Sequence, residues 1–173
     1  LRTIRRCLGP KVAVRLDANE AWPAAEVADR VRALQGYGVT SVEQPVPHEE
    51  VASLAAVRKR VDAAIMLDES LCGMVDAERA VAGGWCDLFN LRLSKCGGFL
   101  PTLRLAEYAV RHGLGYQLGC QVGETGILSA AGRHFAAGVA DLRAVEGSFD
   151  RHLVKDRLTV EDLTFGRGGW ALA

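Results

Sequence analysis

The chain has 173 residues, 49% of them apolar, and its 21 acidic and 21 basic side chains leave no formal net charge. Balanced charge argues against nucleic acid or an anionic membrane as the main partner, and the length suits one domain with a real core. No apolar run approaches the roughly 20 residues that cross a bilayer, and the opening LRTIRRCLGP lacks the apolar centre of a secretory leader, so a cytoplasmic location is expected. Cys7, Cys72, Cys86, Cys96 and Cys120 are an odd number without a CxxC pair, which favours free thiols over disulfides or a zinc site.

In chain order, short apolar runs alternate with longer segments of helical character. Val12 to Leu16 reads as a strand, followed by a helix over Pro23 to Gly36 in which Val27, Val31 and Leu34 recur at helical spacing. Thr40 to Val42 leads into EQPVP and a helix near Glu49 to Val61. Ile65 to Leu67 precedes DESLCG and a helix near Val75 to Ala82. Leu88 to Leu93 is a strand that breaks into KCGG, with a helix near Leu100 to Arg111 after it. Gly115 to Leu118, a GCQVGETG loop, a helix near Ile127 to Ala137, the strand Leu142 to Val145 and a polar tail complete the pattern.

Strands alternating with helices of this length indicate βα units and a parallel sheet. An open doubly wound sheet and part of a (β/α)8 barrel both fit. The glycine fingerprints of dinucleotide and P-loop sites are absent after the strands. In either architecture the chemistry belongs at the carboxyl ends of the strands.

Carboxylates occupy those ends. Asp17 follows VAVRL, Glu43 follows TSV and Asp68 follows IML, each one βα unit from the next. One such acid is readily a turn or capping residue. Three in register would crowd like charges into a small volume, which is costly unless a cation neutralises them. A hard divalent ion with oxygen ligands, Mg²⁺ above all, meets that need. Asn19 and Glu69 either support such a site or cap the following helices.

RLDANEAW, VEQPV, MLDES and NLRLSKCGG, in this order and spacing, resemble the third to sixth barrel strands of the enolase superfamily, in its muconate-lactonizing (muconate cycloisomerase) and mandelate racemase-like branch. The resemblance implies an α/β fold that is a partial (β/α)8 TIM-type barrel, strands three to eight, as a single C-terminal barrel domain over residues 1–173. It further implies that Asp17, Glu43 and Asp68 bind Mg²⁺. The chemistry implied is abstraction of the proton alpha to a substrate carboxylate, giving an enolate whose charge a fixed cation stabilises. A complete barrel needs about 250 residues, so the first two strands and the family's capping domain have no counterpart here, and a fragment of a longer protein is expected.

The family's sixth-strand lysine aligns with Arg92. Arginine stays protonated where a lysine can act as a base, so Arg92 reads as a fixed cation holding a carboxylate; the bland alternative is an ion pair with Asp68 or Glu69. Strand alternation puts Asn90 on its face. Lys95, the other candidate catalytic cation, lies past the strand with the opposite parity, where a surface lysine is the competing reading. By resemblance Glu124 is an acid near the substrate, with Gln121 and Thr125 weaker candidates. Glu146 stands in the region where dipeptide epimerases carry Asp-x-Asp, but Ala144 replaces the first acid. His48, His112 and His134 do not follow strands as the acids do, and no histidine beside Cys96 or Cys120 suggests a thiolate nucleophile.

The expected protein is therefore a cycloisomerase-like enzyme acting on a small carboxylate, whose single base, if any, would lie on the second barrel strand, which has no counterpart here. The family's habit of assembling extends to it as a homo-oligomer. An epimerase or dehydratase of the same superfamily, a non-catalytic barrel that binds metal or carboxylate, and an aldolase-like lyase using the same acids are the alternatives.

Overall fold

A computed structural model describes residues 1–147, 149–156 and 158–163. Six strands, β1 (Val14–Asp17), β2 (Val39–Glu43), β3 (Ala64–Leu67), β4 (Leu88–Leu91), β5 (Gly115–Leu118) and β6 (Leu142–Val145), form one sheet in chain order. The recorded strand pairs are parallel. A doubly wound sheet reverses its strand order at a switch point, whereas monotonic order is the progression of a barrel. The order therefore decides between the two architectures in favour of a partial (β/α)8 barrel.

The helices are α1 (Arg2–Leu8), α2 (Ala24–Gln35), α3 (Leu54–Arg58), α4 (Met74–Gly83), α5 (Phe99–Arg111), α6 (Gly126–Gly138) and α7 (Asp150–Leu153). The chain divides into two compact units, residues 1–71 with 75–89, and residues 72–74 with 90–173.

In the first unit, α2 starts after Pro23, whose fixed φ suits a helix entry, with Glu26 in the first turn opposing the helix dipole. Its Val27, Ala28 and Val31 are buried, as is Val42 on β2. Each valine so buried contributes on the order of 2 kcal/mol. The segment expected to be one helix after EQPVP divides into a 3-10 turn over His48–Ser53 and the short α3. At the other end of the sheet Arg58 donates to Asp87 Oδ1 and to the Gly84 carbonyl, and Asp87 Oδ2 accepts the Ile65 amide at 2.8 Å. The Arg58 pKa is raised, chiefly by its bond to Asp87.

The α1 helix was not expected, because it has no apolar stripe and buries no residue. Arg5 ties it down instead. Its guanidinium donates to the carbonyls of Tyr37, Gly9 and Val12.

In the second unit, β5 and β6 pair with a register shift between Tyr116 and Leu118. The α5 helix buries Thr102, Leu105, Ala106 and Ala109 on one stripe, which is the 3.6-residue period expected of a helix facing a core. The polar tail carries α7 and then returns to α6, where Arg133 donates to the Leu163 carbonyl. Among the described residues no helix is long and apolar enough to cross a membrane.

Candidate functional site

The three sequence-identified acids all belong to the first unit. Asp17 pairs with Glu43 across β1 and β2, and Glu43 pairs with Met66, two residues before Asp68. Side chains alternate along a strand, so Asp17, Glu43 and Met66 share one face, and Asp68 stands directly after the end of β3. Glu43 is 5% exposed and Asp68 is fully buried, whereas Asp17 is exposed. Asp17 Oδ1 also accepts the Asn19 amide at 3.0 Å, so the turn role open to this acid is realised beside any other.

The donor set suits a hard cation by its chemistry: oxygen ligands only, from three adjacent strand ends. Among the described residues no three His, Cys, Asp or Glu side chains are already gathered as a metal-binding group. The backbone brings the acids to one edge.

Backbone bonds continue the β1–β2 pairing past the strands. The Ala18 amide donates to Glu43 O, Glu20 to Gln44 O and Trp22 to Pro45 O, at 2.8 to 3.0 Å. Asn19, Glu20 and Gln44 all take positive φ, a region uncommon for residues other than glycine. The Gln44 side chain is fully buried and bonds to the β3 loop at Asp68 and Ser70. Sequence reasoning passed over Gln44; its place beside Glu43 was the available signal, but nothing in a glutamine announces a left-handed backbone.

The remaining candidates belong to the second unit. The β4 strand ends at Leu91, two residues earlier than expected, and Arg92 opens a turn in which the amides of Lys95 and Cys96 donate to its carbonyl. Arg92 Nη1 donates to Gln121 Oε1 at 3.2 Å. Because Lys95 lies in this turn, strand parity does not govern it. Its half-buried ammonium folds back to the Asn90 carbonyl at 3.1 Å.

Asn90 is fully buried, and its carboxamide lies against Gly119. Glu124 Oε1 accepts from Ser94 Oγ at 3.1 Å and from the Gln121 amide at 2.9 Å, so this acid braces two loops. Gln117 Nε2 donates to Glu146 Oε1 at 3.0 Å. Ser94 and Gln117 were not singled out from the sequence, since only a contact distinguishes them from other polar residues.

All five cysteines are free. Burial, with Glu124 and Glu146 adding to it, pushes the Cys120 thiol up to about 11, so this thiol rests protonated. The exposed His48 is paired with Glu20, and the exposed His112 ring lies 4.2 Å from that of Tyr108.

Parallel βα units in this unbroken strand order define an α/β protein with a partial barrel. The chain belongs to the enolase C-terminal domain-like family, whose model matches residues 1–172. It is 35% identical over 137 residues to the hydrophobic dipeptide epimerase of Enterococcus faecalis, covering 79% of this chain and 39% of that protein. It is 33% identical over 129 residues to muconate cycloisomerase 1 of Acinetobacter baylyi, covering 74% and 35%. The crystal structure of a dipeptide epimerase from Cytophaga hutchinsonii, complexed with Mg and the dipeptide D-Ala-L-Val, superposes with a TM-score of 0.83 at 26% identity, over 94% of this chain and 45% of that one. The chain thus spans less than half the length of these relatives.

Proposed function

We propose that residues 1–173 belong to one barrel domain of a Mg²⁺-dependent isomerase that removes the proton alpha to the carboxylate of a small substrate, in a cycloisomerase-like reaction. Asp17, Glu43 and Asp68 would hold the ion, which when bound supplies positive charge against the negative charge developing on the substrate carboxylate. The reading rests most on Arg92. Arginine does not give up its proton in a protein, so Arg92 binds and orients a carboxylate through its planar fork and moves no proton.

Lys95, on the same turn, is the second catalytic candidate, its ammonium donating to the Asn90 carbonyl. Asn90, Glu124 and Glu146 are the substrate-facing candidates, with Glu124 fixing the loop that carries Gln121. Chemistry that needs one base, a lactonisation or a syn elimination, suits this set better than a racemisation that needs two. Epimerisation is the second reading, favoured by Glu146, whose carboxylate is held by Gln117 where it could take a cationic substrate group. A homo-oligomer is the proposed assembly, and a small-molecule carboxylate the proposed partner.

Proton NMR in deuterium oxide with Mg²⁺ tests the reading on muconate-type, N-acyl amino acid and dipeptide substrates. Cyclisation, or alpha-deuterium incorporation with retained configuration, is expected, together with loss of both in Arg92→Ala. Deuterium incorporation with inversion would move the assignment to epimerisation. Mg²⁺ binding without exchange on any substrate class would leave a binding protein.

A further inference from the structure

Gln44 sits immediately after Glu43, and every polar group it owns is bonded to β3 or to a segment that adjoins one of the three acids. Its backbone amide donates to Met66 O at 2.9 Å, and its carbonyl accepts the Glu20 amide at 2.8 Å. Its side-chain Oε1 accepts the amides of Asp68 at 3.1 Å and Ser70 at 3.2 Å. On the other side of the carboxamide, Nε2 donates to Val46 O at 2.9 Å and to Ser70 Oγ at 2.8 Å. All these partners lie within residues 1–71, in one compact unit.

The residue is fully buried and its φ is +33°. A strained backbone persists only where its surroundings over-determine it, and such positions concentrate at functional sites. The bonding also dictates the chemistry of the side chain. One end must accept two amide protons while the other donates to a carbonyl and a hydroxyl, which a carboxamide can do and a carboxylate or an aliphatic group cannot.

We infer that Gln44 is a positioning residue that sets the spacing of Asp17, Glu43 and Asp68 for a divalent cation. The inference rests on the metal reading proposed above. Asp68 is fixed through its own amide, Glu43 through the peptide bond it shares with Gln44, and the loop after Asp17 through the Glu20 amide. These bonds tie the three acid-bearing segments to one another. Partners that orient metal ligands in this way typically alter affinity by about 10- to 100-fold when replaced.

The test compares the 173-residue chain with Gln44→Met, Gln44→Glu, Asp68→Asn and, as a control on a surface glutamine, Gln35→Met. Mg²⁺ affinity is read by calorimetry, the ligand field by electron paramagnetic resonance of bound Mn²⁺, and backbone order by amide exchange without metal, with circular dichroism to verify folding. Gln44→Met is expected to weaken Mg²⁺ binding about 10- to 100-fold, broaden the Mn²⁺ spectrum and speed exchange at the Asp68 and Ser70 amides. Gln44→Glu, which keeps the acceptor and loses the donor, should fall between it and the parent, and Gln35→Met should match the parent.

If the parent binds, Asp68→Asn does not, and a folded Gln44→Met binds within threefold of the parent with unchanged exchange, the positioning role is wrong while the metal reading stands. Unfolding of both Gln44 variants would assign the residue to stability alone and overturn the inference. A folded parent that binds no divalent cation overturns the metal reading and this role with it.

Discussion

The two compact units share backbone bonding at their strand ends and differ in the side chains that supplement it. In the first, backbone bonds continue from the strands into the loops, with Ala18, Glu20 and Trp22 donating to successive carbonyls after β2, and one buried carboxamide completes the lattice. In the second, backbone bonds also cross between strand ends and loops, from the amides of Gly119, Glu146 and Phe149 to the carbonyls of Leu91, Leu118 and Val122, and side-chain pairs are laid over them: Arg92 to Gln121, Ser94 to Glu124, Gln117 to Glu146. Backbone bonding depends little on residue identity, so it can hold three like charges at a constant spacing. Side-chain bonding changes with each substitution, so the side-chain pairs of the second unit are the bonds there that a single substitution removes.

The sharpest way to break this contrast is to remove an acid. Asp68→Ala should abolish saturable Mg²⁺ binding by calorimetry, a loss of at least about 100-fold, or about 2.7 kcal/mol. A comparable loss in Arg92→Ala would mean that metal affinity is not confined to the first unit's acids.

The next effect belongs to the second unit. A Cβ at Gly119 would lie 2.1 Å from Asn90 Oδ1, so Gly119→Ala should destabilise by about 1–3 kcal/mol through overpacking, measured by urea denaturation. The double variant with Asn90→Ala should recover part of that cost; additive losses would show that the two residues do not share the space.

Asp87→Ala removes a partner from Arg58 and from the Ile65 amide together. A loss of about 2 kcal/mol is expected for hydrogen bonds to a charged group, with Mg²⁺ affinity unchanged because the pair lies away from the acid-bearing ends. A change in affinity would contradict the separation of strand ends by function.

The smallest effect is a titration. His48 bonds to Glu20 at 3.0 Å, and this bond, then the charge of Glu49, raises its pKa above 6.5. The raised value means that protonated His48 favours the folded loop. Its contribution is fully present below the unfolded pKa near 6.5 and is lost as pH rises through the folded value. NMR should place the His48 midpoint above 6.5, and Glu20→Gln should move it down; no movement would remove Glu20 as the cause.

Much of this was legible beforehand because it depends on period and position along the chain. The β2, β3, β5 and β6 runs could be read from short apolar stretches, and Asp17, Glu43 and Asp68 from standing one βα unit apart at strand ends. The α1 helix was not legible, since one arginine and three carbonyls hold it in place of an apolar stripe. The turn that carries Lys95 was not legible, because β4 ends at Leu91 and a turn does not preserve the alternation of a strand. The split of the expected helix after EQPVP into a 3-10 turn and α3 likewise escaped a reading based on spacing.

The sequence by itself determined the alternation of strands and helices, the family and the three acids at one edge, because hydrophobic period and motif spacing are properties of a line of residues. Tertiary structure alone decided the strand order, the left-handed turn at Gln44, and the pairings of Arg92 with Gln121 and of Glu124 with Ser94. These depend on which groups meet once the chain has folded, and a buried carboxamide or guanidinium takes its partners from the geometry around it.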